Sequence, residues 1–188
     1  MSFATVKEIT IPDTVTTIGK DAFNGLSELK KIKLPANLKE IGANAFSGCS
    51  KLESFTQNSV TGATSNYMVK DGVLLTSNGE TLVSYPASKK GDEYTVPAGV
   101  TNILEGAFDS AANLVELNTG ADLITAGKKA FANMSSLKRV TMPSGKSLGD
   151  MLFYKDSNLK ELTLPDNLKE VPAYLLYNSS GVSSLTIP

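Results

Sequence analysis

The stretch LKKIKLPANLKEIGANAFSGCSK, residues 29–51, carries the pattern on which the whole chain is built. Residues 6–28, VKEITIPDTVTTIGKDAFNGLSE, repeat its spacing of apolar residues, proline and phenylalanine. Later copies keep the same step, since Phe108 to Phe131 is 23 residues and Phe131 to Phe153 is 22. A period of this length predicts a solenoid, in which each repeat packs against its neighbours and function lies on the surface.

Each repeat has three parts. In residues 29–34 apolar side chains alternate with lysine, which predicts a short strand with one face toward solvent. Pro35 then ends the strand, because proline cannot donate to a sheet ladder. A second apolar pair follows within residues 38–41, and then the pair Ala45-Phe46, which we expect on a short helical turn. These pieces are too short to be stable alone, so stacking must supply the core.

Stacking predicts a parallel sheet on one face, with strands about 4.8 Å apart, and a continuous apolar core behind it. In such a core each buried phenylalanine contributes about 1.5–3 kcal/mol to stability. We therefore expect Phe46→Ala or Phe131→Ala to cost roughly 3–5 kcal/mol, including the cavity that the ring leaves.

Residues 56–93 interrupt the period, because the equivalent positions Phe55 and Tyr94 lie 39 residues apart. The dipeptides Asp71-Gly72 and Asn78-Gly79 favour tight turns. They divide the segment into three apolar runs, so we predict a loop followed by a small antiparallel β-meander. The runs are residues 67–70, 73–77 and 81–85. The insertion either decorates the wall of the solenoid or forms a loop that shapes a binding site.

Composition limits the function classes. The 188 residues suit a single solenoid domain over 1–188, and 41% of them are hydrophobic. The net charge of −1 predicts no nucleic-acid partner and no anionic-membrane partner. No run approaches the roughly 20 apolar residues of a membrane span, and residues 1–5 show no signal-peptide pattern. Residues 185–188 begin another repeat, so we expect either a piece of a longer protein or an edge covered by end-to-end self-association.

The chain lacks the residues that most catalytic and metal sites need. It has no histidine, which removes the common catalytic triads and zinc sites. The single cysteine, Cys49, is predicted to be a small buried hydrophobic residue. Asp71, Asp92 and Glu93 flank the insertion, where we expect solvated turn residues rather than a calcium site. We predict no enzyme, no cofactor, and no catalytic or metal-binding residue.

These repeats resemble the BspA-like leucine-rich repeat family, whose pattern is L-x-x-I-x-I-P-x-x-V-x-x-I-G-x-x-A-F-x-x-C. The residues of the 29–51 repeat that match it are Leu29, Ile32, Leu34, Pro35, Leu38, Ile41, Gly42, Ala45, Phe46 and Cys49. The resemblance covers nearly the whole chain, although Gly120 replaces the proline and Tyr174-Leu175 replaces Ala-Phe in later repeats. It implies a leucine-rich-repeat solenoid on a bacterial cell surface or outside the cell, which binds host, matrix or neighbouring-cell proteins.

The outward positions of the predicted sheet form the candidate interaction face. Its residues are Thr10, Lys33, Thr56, Thr95, Asn118, Thr141, Thr163, Lys30, Lys138 and Lys160. β-Branched residues suit any exposed sheet, so the face is either a structural feature or a hydroxyl-rich platform for protein or glycan. No cluster of exposed aromatic and arginine residues is visible, so we expect weak binding strengthened by many copies. We predict a protein-interaction or adhesion module, with a structural spacer or a glycan-binding module as alternatives.

Overall fold

A computed structural model describes residues 5–187, which stack into eight coils that each begin with a short strand. The strands are β1 (Glu8–Thr10), β2 (Thr17–Ile18), β3 (Lys31–Leu34), β4 (Glu40–Ile41), β5 (Ser54–Gln57), β6 (Tyr67–Lys70), β7 (Val73–Thr76), β8 (Thr81–Ser84), β9 (Glu93–Thr95), β10 (Asn102–Ile103), β11 (Glu116–Asn118), β12 (Thr125–Ala126), β13 (Arg139–Thr141), β14 (Ser147–Leu148), β15 (Glu161–Thr163) and β16 (Ser184–Thr186). Coils 1 to 8 begin at β1, β3, β5, β9, β11, β13, β15 and β16.

The first strands of the coils form two parallel sheets, here called the front sheets. The first front sheet contains β1-β3-β5 and the second contains β9-β11-β13-β15-β16. Ile32 of coil 2 pairs with Ile9 on one side and with Phe55 on the other, so apolar residues align behind the sheet. Lys33 faces solvent, because successive residues of a strand point to opposite faces. The predicted parallel sheet is therefore confirmed.

The second strands of the coils form a middle wall. Here β2 pairs with β4, while β8, β10, β12 and β14 are parallel neighbours. Strand β8 also pairs antiparallel with β7, and β7 with β6, so this part of the wall is a six-stranded mixed sheet. Strands β6, β7 and β8 are the predicted meander. The repeat register resumes at Thr81, which lies opposite Asn102 of coil 4.

The third side of each coil, here called the turn wall, contains the Ala-Phe pair. Residues 5–187 contain no helix, so the predicted short helical turns are wrong. In coil 2 the left-handed residues Asn44 (φ 55°) and Gly48 (φ 73°) flank Phe46, and other coils repeat this arrangement. Residues in this conformation reverse the chain locally and cannot continue a right-handed helix. The turn wall is therefore a run of linked turns.

Backbone amides of the turn wall join neighbouring coils. In coil 1 the N–H groups of Asp21, Phe23 and Gly25 donate to carbonyls of coil 2 at 2.8–3.0 Å. Amides at the same three positions of coils 4, 5 and 6 donate to the following coil in the same way. Three hydrogen bonds thus connect each pair of turn walls in the regular parts of the stack.

Aromatic rings from the turn walls form a ladder through the core. The ring centroids of Phe108, Phe131 and Phe153 are separated by 5.5 and 5.4 Å, and all three side chains are fully buried. Tyr85 takes the equivalent position in coil 3 and stacks on Phe108 at 4.9 Å. Phe46 stacks instead on the phenylalanine of coil 1 and is half-buried. The ladder is therefore broken between coils 2 and 3.

The meander divides the core into two clusters. Leu74 of β7 packs with the core of coils 1 and 2, whereas Val73 and Leu75 pack with the core of coils 4 to 7. This division follows from the alternation of side chains along a strand. The turn Asp71-Gly72 reaches the front of the molecule, where the Phe55 N–H donates to the Gly72 carbonyl at 2.9 Å. The inserted strands form a partition across the solenoid rather than a decoration of its wall.

Later repeats keep the framework even where their residues drift. The Phe153 N–H donates to the Leu175 carbonyl at 3.0 Å. In coils 1 and 4 the equivalent phenylalanine N–H donates to the alanine carbonyl of the Ala-Phe pair in the next coil. Leu175 and Leu176 therefore occupy the Ala-Phe positions, and the predicted alignment of Tyr174-Leu175 is wrong by one residue. Tyr174 takes the left-handed position, with a φ of 55°.

Candidate interaction surfaces

The outer side of the front sheets carries the residues predicted as an interaction face. Strand register aligns them in two ladders, which are Thr10-Lys33-Thr56 and Thr95-Asn118-Thr141-Thr163. Asn118 is half-buried and the other six are exposed. The turn Asp71-Gly72 lies beside β5, and β5 and β9 belong to different sheets. The structure therefore brings the predicted residues together as two separate ladders.

Lysines and ion pairs surround these ladders. Lys30, Lys138 and Lys160 each lie one residue before a front strand and are exposed. The Lys30 ammonium lies 3.4 Å from the Glu53 carboxylate. Such exposed pairs contribute about 0–1 kcal/mol, so they set local charge without adding much stability.

Arg139 bridges two carboxylates across three coils of the second front sheet. Its guanidinium nitrogens lie 2.8 Å from Glu116 and 2.9 Å from Glu161. The hydrogen bond from Arg139 lowers the pKa of Glu161 below its ordinary value, and the charge of Arg139 lowers it further. Arg139 therefore offsets part of the negative charge of the two carboxylates.

The threonine hydroxyls of the second ladder are available to a partner. Thr56 in the first ladder donates its hydroxyl to the Ile32 carbonyl at 3.4 Å. Within residues 5–187, by contrast, the hydroxyls of Thr95, Thr141 and Thr163 have no hydrogen-bond partner. The second front sheet thus presents polar groups that the fold does not use.

A cleft opens in the turn wall where coil 3 is shortened. In coil 4 Ile103 and Phe108 lie five positions apart, whereas their coil 3 equivalents Leu82 and Tyr85 lie three positions apart. The shortening leaves a cavity of about 320 Å³ between the turn walls of coils 2 and 4. Its floor is formed by the coil 3 residues Val83, Ser84, Tyr85 and Ala87. This cavity is called the turn-wall cleft below.

One rim of the turn-wall cleft carries a row of free backbone donors. Asn44, Phe46 and Gly48 of coil 2 occupy the positions whose N–H groups donate to the following coil elsewhere. The shortened wall of coil 3 supplies no carbonyl to them, and no other acceptor within residues 5–187 takes its place. The three N–H groups are spaced two residues apart, like donors along the edge of a sheet.

The opposite rim carries acceptors and negative charge. The backbone carbonyls of Glu105 and Asp109 in coil 4 occupy receiving positions, and neither has a donor among the described residues. Between them, the Ala107 carbonyl accepts the Tyr85 N–H at 2.7 Å. The Ser47 hydroxyl donates to the Asp109 carboxylate at 3.4 Å across the cleft. The rims therefore offer complementary halves of a hydrogen-bond ladder.

The interior of the turn-wall cleft is apolar. Phe46, Leu52 and Tyr85 line it together with the buried Cys49. The Cys49 thiol donates to the Phe23 carbonyl at 3.2 Å, and burial raises its pKa to about 11. Cys49 is thus a neutral buried thiol, as predicted from its position in the repeat.

Sequence reasoning missed an aromatic cluster on the turn walls of coils 6 and 7. Tyr154 stacks on Tyr177 at 5.9 Å, and Tyr174 packs edge-on against Tyr177 at 5.7 Å. The ammonium groups of Lys129 and Lys155 lie 5.0 and 5.1 Å from the centre of the Tyr154 ring. The expectation concerned exposed aromatic residues together with arginine, and this cluster combines tyrosines with lysines instead. Its signal is the 23-residue step from Tyr154 to Tyr177.

Asp156 is a buried carboxyl within the core. Its Oδ1 accepts the Met134 N–H at 2.7 Å, while its Oδ2 has no partner among the described residues. Burial, with a smaller effect from the nearby Asp109, raises the pKa of Asp156 to about 8. Asp156 is therefore neutral over the acidic and neutral range and acts as a polar core residue.

Residues 5–187 carry neither a membrane-spanning helix nor a cluster of metal ligands. No helix there is long and apolar enough to cross a membrane. No group of three or more carboxylate or thiol side chains lies together as a metal site, so Asp71, Asp92 and Glu93 do not converge on a cation.

Comparisons with known proteins agree with this architecture. The solved pneumococcal vaccine antigen PcpA is 24% identical, with a TM-score of 0.83 over 96% of this chain and 50% of that one. A leucine-rich repeat protein from Eubacterium ventriosum is 26% identical, with a TM-score of 0.82 over 97% of this chain and 55% of that one. A leucine rich cell surface protein from Faecalibacterium prausnitzii is 22% identical, with a TM-score of 0.73 over 96% of this chain and 59% of that one.

The chain therefore spans between 50% and 59% of the length of these three solved relatives. No curated protein matches it. The family model described as the BspA type leucine rich repeat region matches in six copies, over residues 2–76 and 87–188. Because that match covers nearly the whole sequence, the chain belongs to the BspA-type leucine-rich repeat family.

Proposed function

We propose that this chain is a non-catalytic protein-interaction module of a bacterial cell surface, and that it binds through the second front sheet. The observation that carries the proposal is the ladder of Thr95, Thr141 and Thr163, whose hydroxyls are exposed and lack protein partners within residues 5–187. Because a parallel sheet holds these groups in fixed positions, a partner can bind them with little ordering cost.

The family and its relatives support the surface location. One solved relative is a pneumococcal vaccine antigen, and another is a leucine rich cell surface protein. The paired charges around Arg139 support adaptable polar contacts rather than binding of a highly charged polymer. Adhesion to host, matrix or envelope proteins is the specific activity that we propose for this surface.

A binding assay with two matched variants tests the front sheet. The intact chain is immobilised and exposed to a panel of purified extracellular-matrix and cell-envelope proteins. Thr141→Glu places a carboxylate in the ladder and is expected to weaken binding about fivefold or more, because it desolvates a charge at the contact. Ser147→Glu makes the same change in charge at the exposed position of the middle-wall strand β14 and is expected to leave binding unchanged.

The alternatives give different results in the same assay. A structural spacer binds no member of the panel, and the two variants are then indistinguishable. A glycan-binding module binds a glycan array and no protein. If the intact chain binds a protein and the two variants lose binding equally, or if neither variant loses binding, the second front sheet is excluded as the contact surface.

A further inference from the structure

We propose that the turn-wall cleft binds an extended peptide of small and apolar residues, whose backbone occupies the place of the missing turn wall of coil 3. This site lies on a different side of the coil from the front sheets and uses backbone groups rather than threonine hydroxyls. Peptide binding by the cleft is therefore independent of the adhesion proposed for the second front sheet.

The hydrogen-bond pattern of the regular stack indicates what the cleft lacks. The turn wall of coil 5 accepts three N–H groups from coil 4 at 2.8–3.1 Å and donates three to coil 6 at 2.8–3.1 Å. In coil 3 the turn wall donates one such bond, from Tyr85, and within residues 5–187 it accepts none from coil 2. Asn44, Phe46 and Gly48 remain as donors on one side, and the carbonyls of Glu105 and Asp109 remain as acceptors on the other.

An extended peptide backbone has the complementary arrangement. Each residue points its own N–H and C=O to the same side, and successive residues point to opposite sides. Carbonyls two residues apart can therefore face the donors of coil 2, while the N–H groups of the intervening residues face the acceptors of coil 4. A free anion could use the N–H groups of coil 2, but the carboxylates of Glu105 and Asp109 on the facing rim would repel it. The charges thus favour a neutral backbone over an anion.

The floor and walls set the side chains that fit. Ala45, Ala87 and Ala107 line the cleft together with the half-buried Phe46, so the surface is apolar and made largely of small residues. A volume of about 320 Å³ is at the lower end of the range for ligand pockets and accommodates a few small side chains. Glu105 at the rim is exposed, so a lysine or a free amine at one end of the peptide adds a favourable contact.

A titration followed by NMR tests the site. The probe is a pool of pentapeptides that begin with lysine and continue with alanine, valine, serine or leucine, added to the ¹⁵N-labelled intact chain. We expect the amide resonances of Asn44, Phe46 and Gly48 to move and their hydrogen exchange to slow. The amides of Met151, Phe153 and Lys155 are the matched controls, because they hold the same positions in coil 6, away from the cleft, and already donate to coil 7.

Two modifications separate backbone recognition from nonspecific apolar contact. N-methylation of the peptide amides removes their donors to Glu105 and Asp109, and is expected to weaken binding about tenfold or more. Glu105→Lys is expected to weaken binding of the lysine peptides about two- to fivefold at low salt. Asp150→Lys makes the same change at the equivalent position of coil 6, outside the cleft, and is expected to have no effect.

Three results would overturn the proposal. These are no movement of the Asn44, Phe46 and Gly48 amides with the whole pool, movement confined to other surfaces, and equal binding of the N-methylated pool. Thr141→Glu is expected to retain peptide binding in full, so a failure of the front-sheet assay and a failure of the cleft titration are distinguished directly.

Discussion

Two stacks of the same repeat lie on either side of the meander, and they differ in how completely their turn walls close. In coils 4 to 7 three hydrogen bonds join each pair of turn walls, and Phe108, Phe131 and Phe153 are fully buried. In coils 1 and 2 Phe23 and Phe46 are half-buried, and the turn wall of coil 2 ends at an open cleft. In the regular repeats the backbone N–H and C=O groups of the turn walls bond to the neighbouring coils. The interruption at coil 3 leaves some of these groups without a partner among residues 5–187, and we propose that a ligand binds them.

The largest expected difference between the stacks concerns their aromatic rings. Phe131→Ala is expected to cost roughly 3–5 kcal/mol, because it leaves a cavity between two buried rings. Phe46→Ala is expected to cost about 1–3 kcal/mol, less than its repeat position predicts, because the ring already borders the open cleft. Urea denaturation of both variants measures the difference, and equal costs would show that the two stacks are equally closed.

The buried carboxyl of the larger stack gives a second contrast. Asp156 occupies the repeat position that Cys49 occupies in the smaller stack, three residues after phenylalanine. Its pKa is raised from the ordinary 3.8 to about 8, so the folded chain binds more protons than the unfolded chain between these values. Stability contributed by neutral Asp156 is therefore present below about pH 4 and is lost as the pH rises toward about 8.

Asp156→Asn keeps an oxygen for the Met134 N–H and cannot ionise. We expect it to be more stable than the natural chain at pH 8 by on the order of 2–4 kcal/mol, with a smaller difference near pH 5. Denaturation at both pH values tests this, and the absence of histidine keeps ordinary side-chain titrations out of the interval. Parallel stability profiles of the two proteins would show that Asp156 is not ionised on unfolding in this range.

The meander should couple differently to each stack. Leu74→Ala is expected to cost about 2–4 kcal/mol and to speed hydrogen exchange mainly in coils 1 and 2, because Leu74 packs in that core. Leu75→Ala is expected to cost a similar amount but to speed exchange mainly in coils 4 and 5. Exchange measured by mass spectrometry separates the two patterns. Identical patterns would contradict the partition.

The smallest expected effect lies on the second front sheet. Arg139→Ala removes two exposed ion pairs, with Glu116 and Glu161, and is expected to leave stability nearly unchanged, because water and salt screen such pairs. Thermal denaturation at low and high salt measures this small effect. A loss of several kcal/mol would mean that the face is held by electrostatics rather than by the core behind it.

The scaffold was predictable because its rules are local. The sequence shows the alternation at Ile32, Lys33 and Leu34 and the steps of 22 or 23 residues between repeats. These two features predict where the strands and the ladders lie. The turn wall was mispredicted because helix and linked turns share the same small and aromatic residues. Asn44 is a residue type that often adopts the left-handed conformation. Lys129 adopts it too, with a φ of 54°, although lysine has no preference for it, so the residue type does not predict the turn there.

The cleft was not predictable from the repeat. Its existence depends on Tyr85 taking the phenylalanine position of coil 3, three residues after Leu82, and that equivalence appears when β8 pairs with β10. The free donors of Asn44 and Phe46 have no sequence signature at all, because they are backbone groups. Once the repeats are aligned, the sequence feature that marks such a site is a shortened spacing between the second strand and the aromatic position, three residues in coil 3 and five in coil 4.

Hydrogen exchange of single amides in the unliganded chain tests the central claim most directly. Asn44, Phe46 and Gly48 are predicted to exchange rapidly, because their N–H groups have no acceptor within residues 5–187. Gly106, Phe108 and Ser110 hold the same positions in coil 4, on the other side of the meander. Their N–H groups are predicted to exchange slowly, because they donate to coil 5 at 2.8–3.1 Å. Equal protection of the two sets would mean that the turn wall is closed and that the interruption frees no binding site.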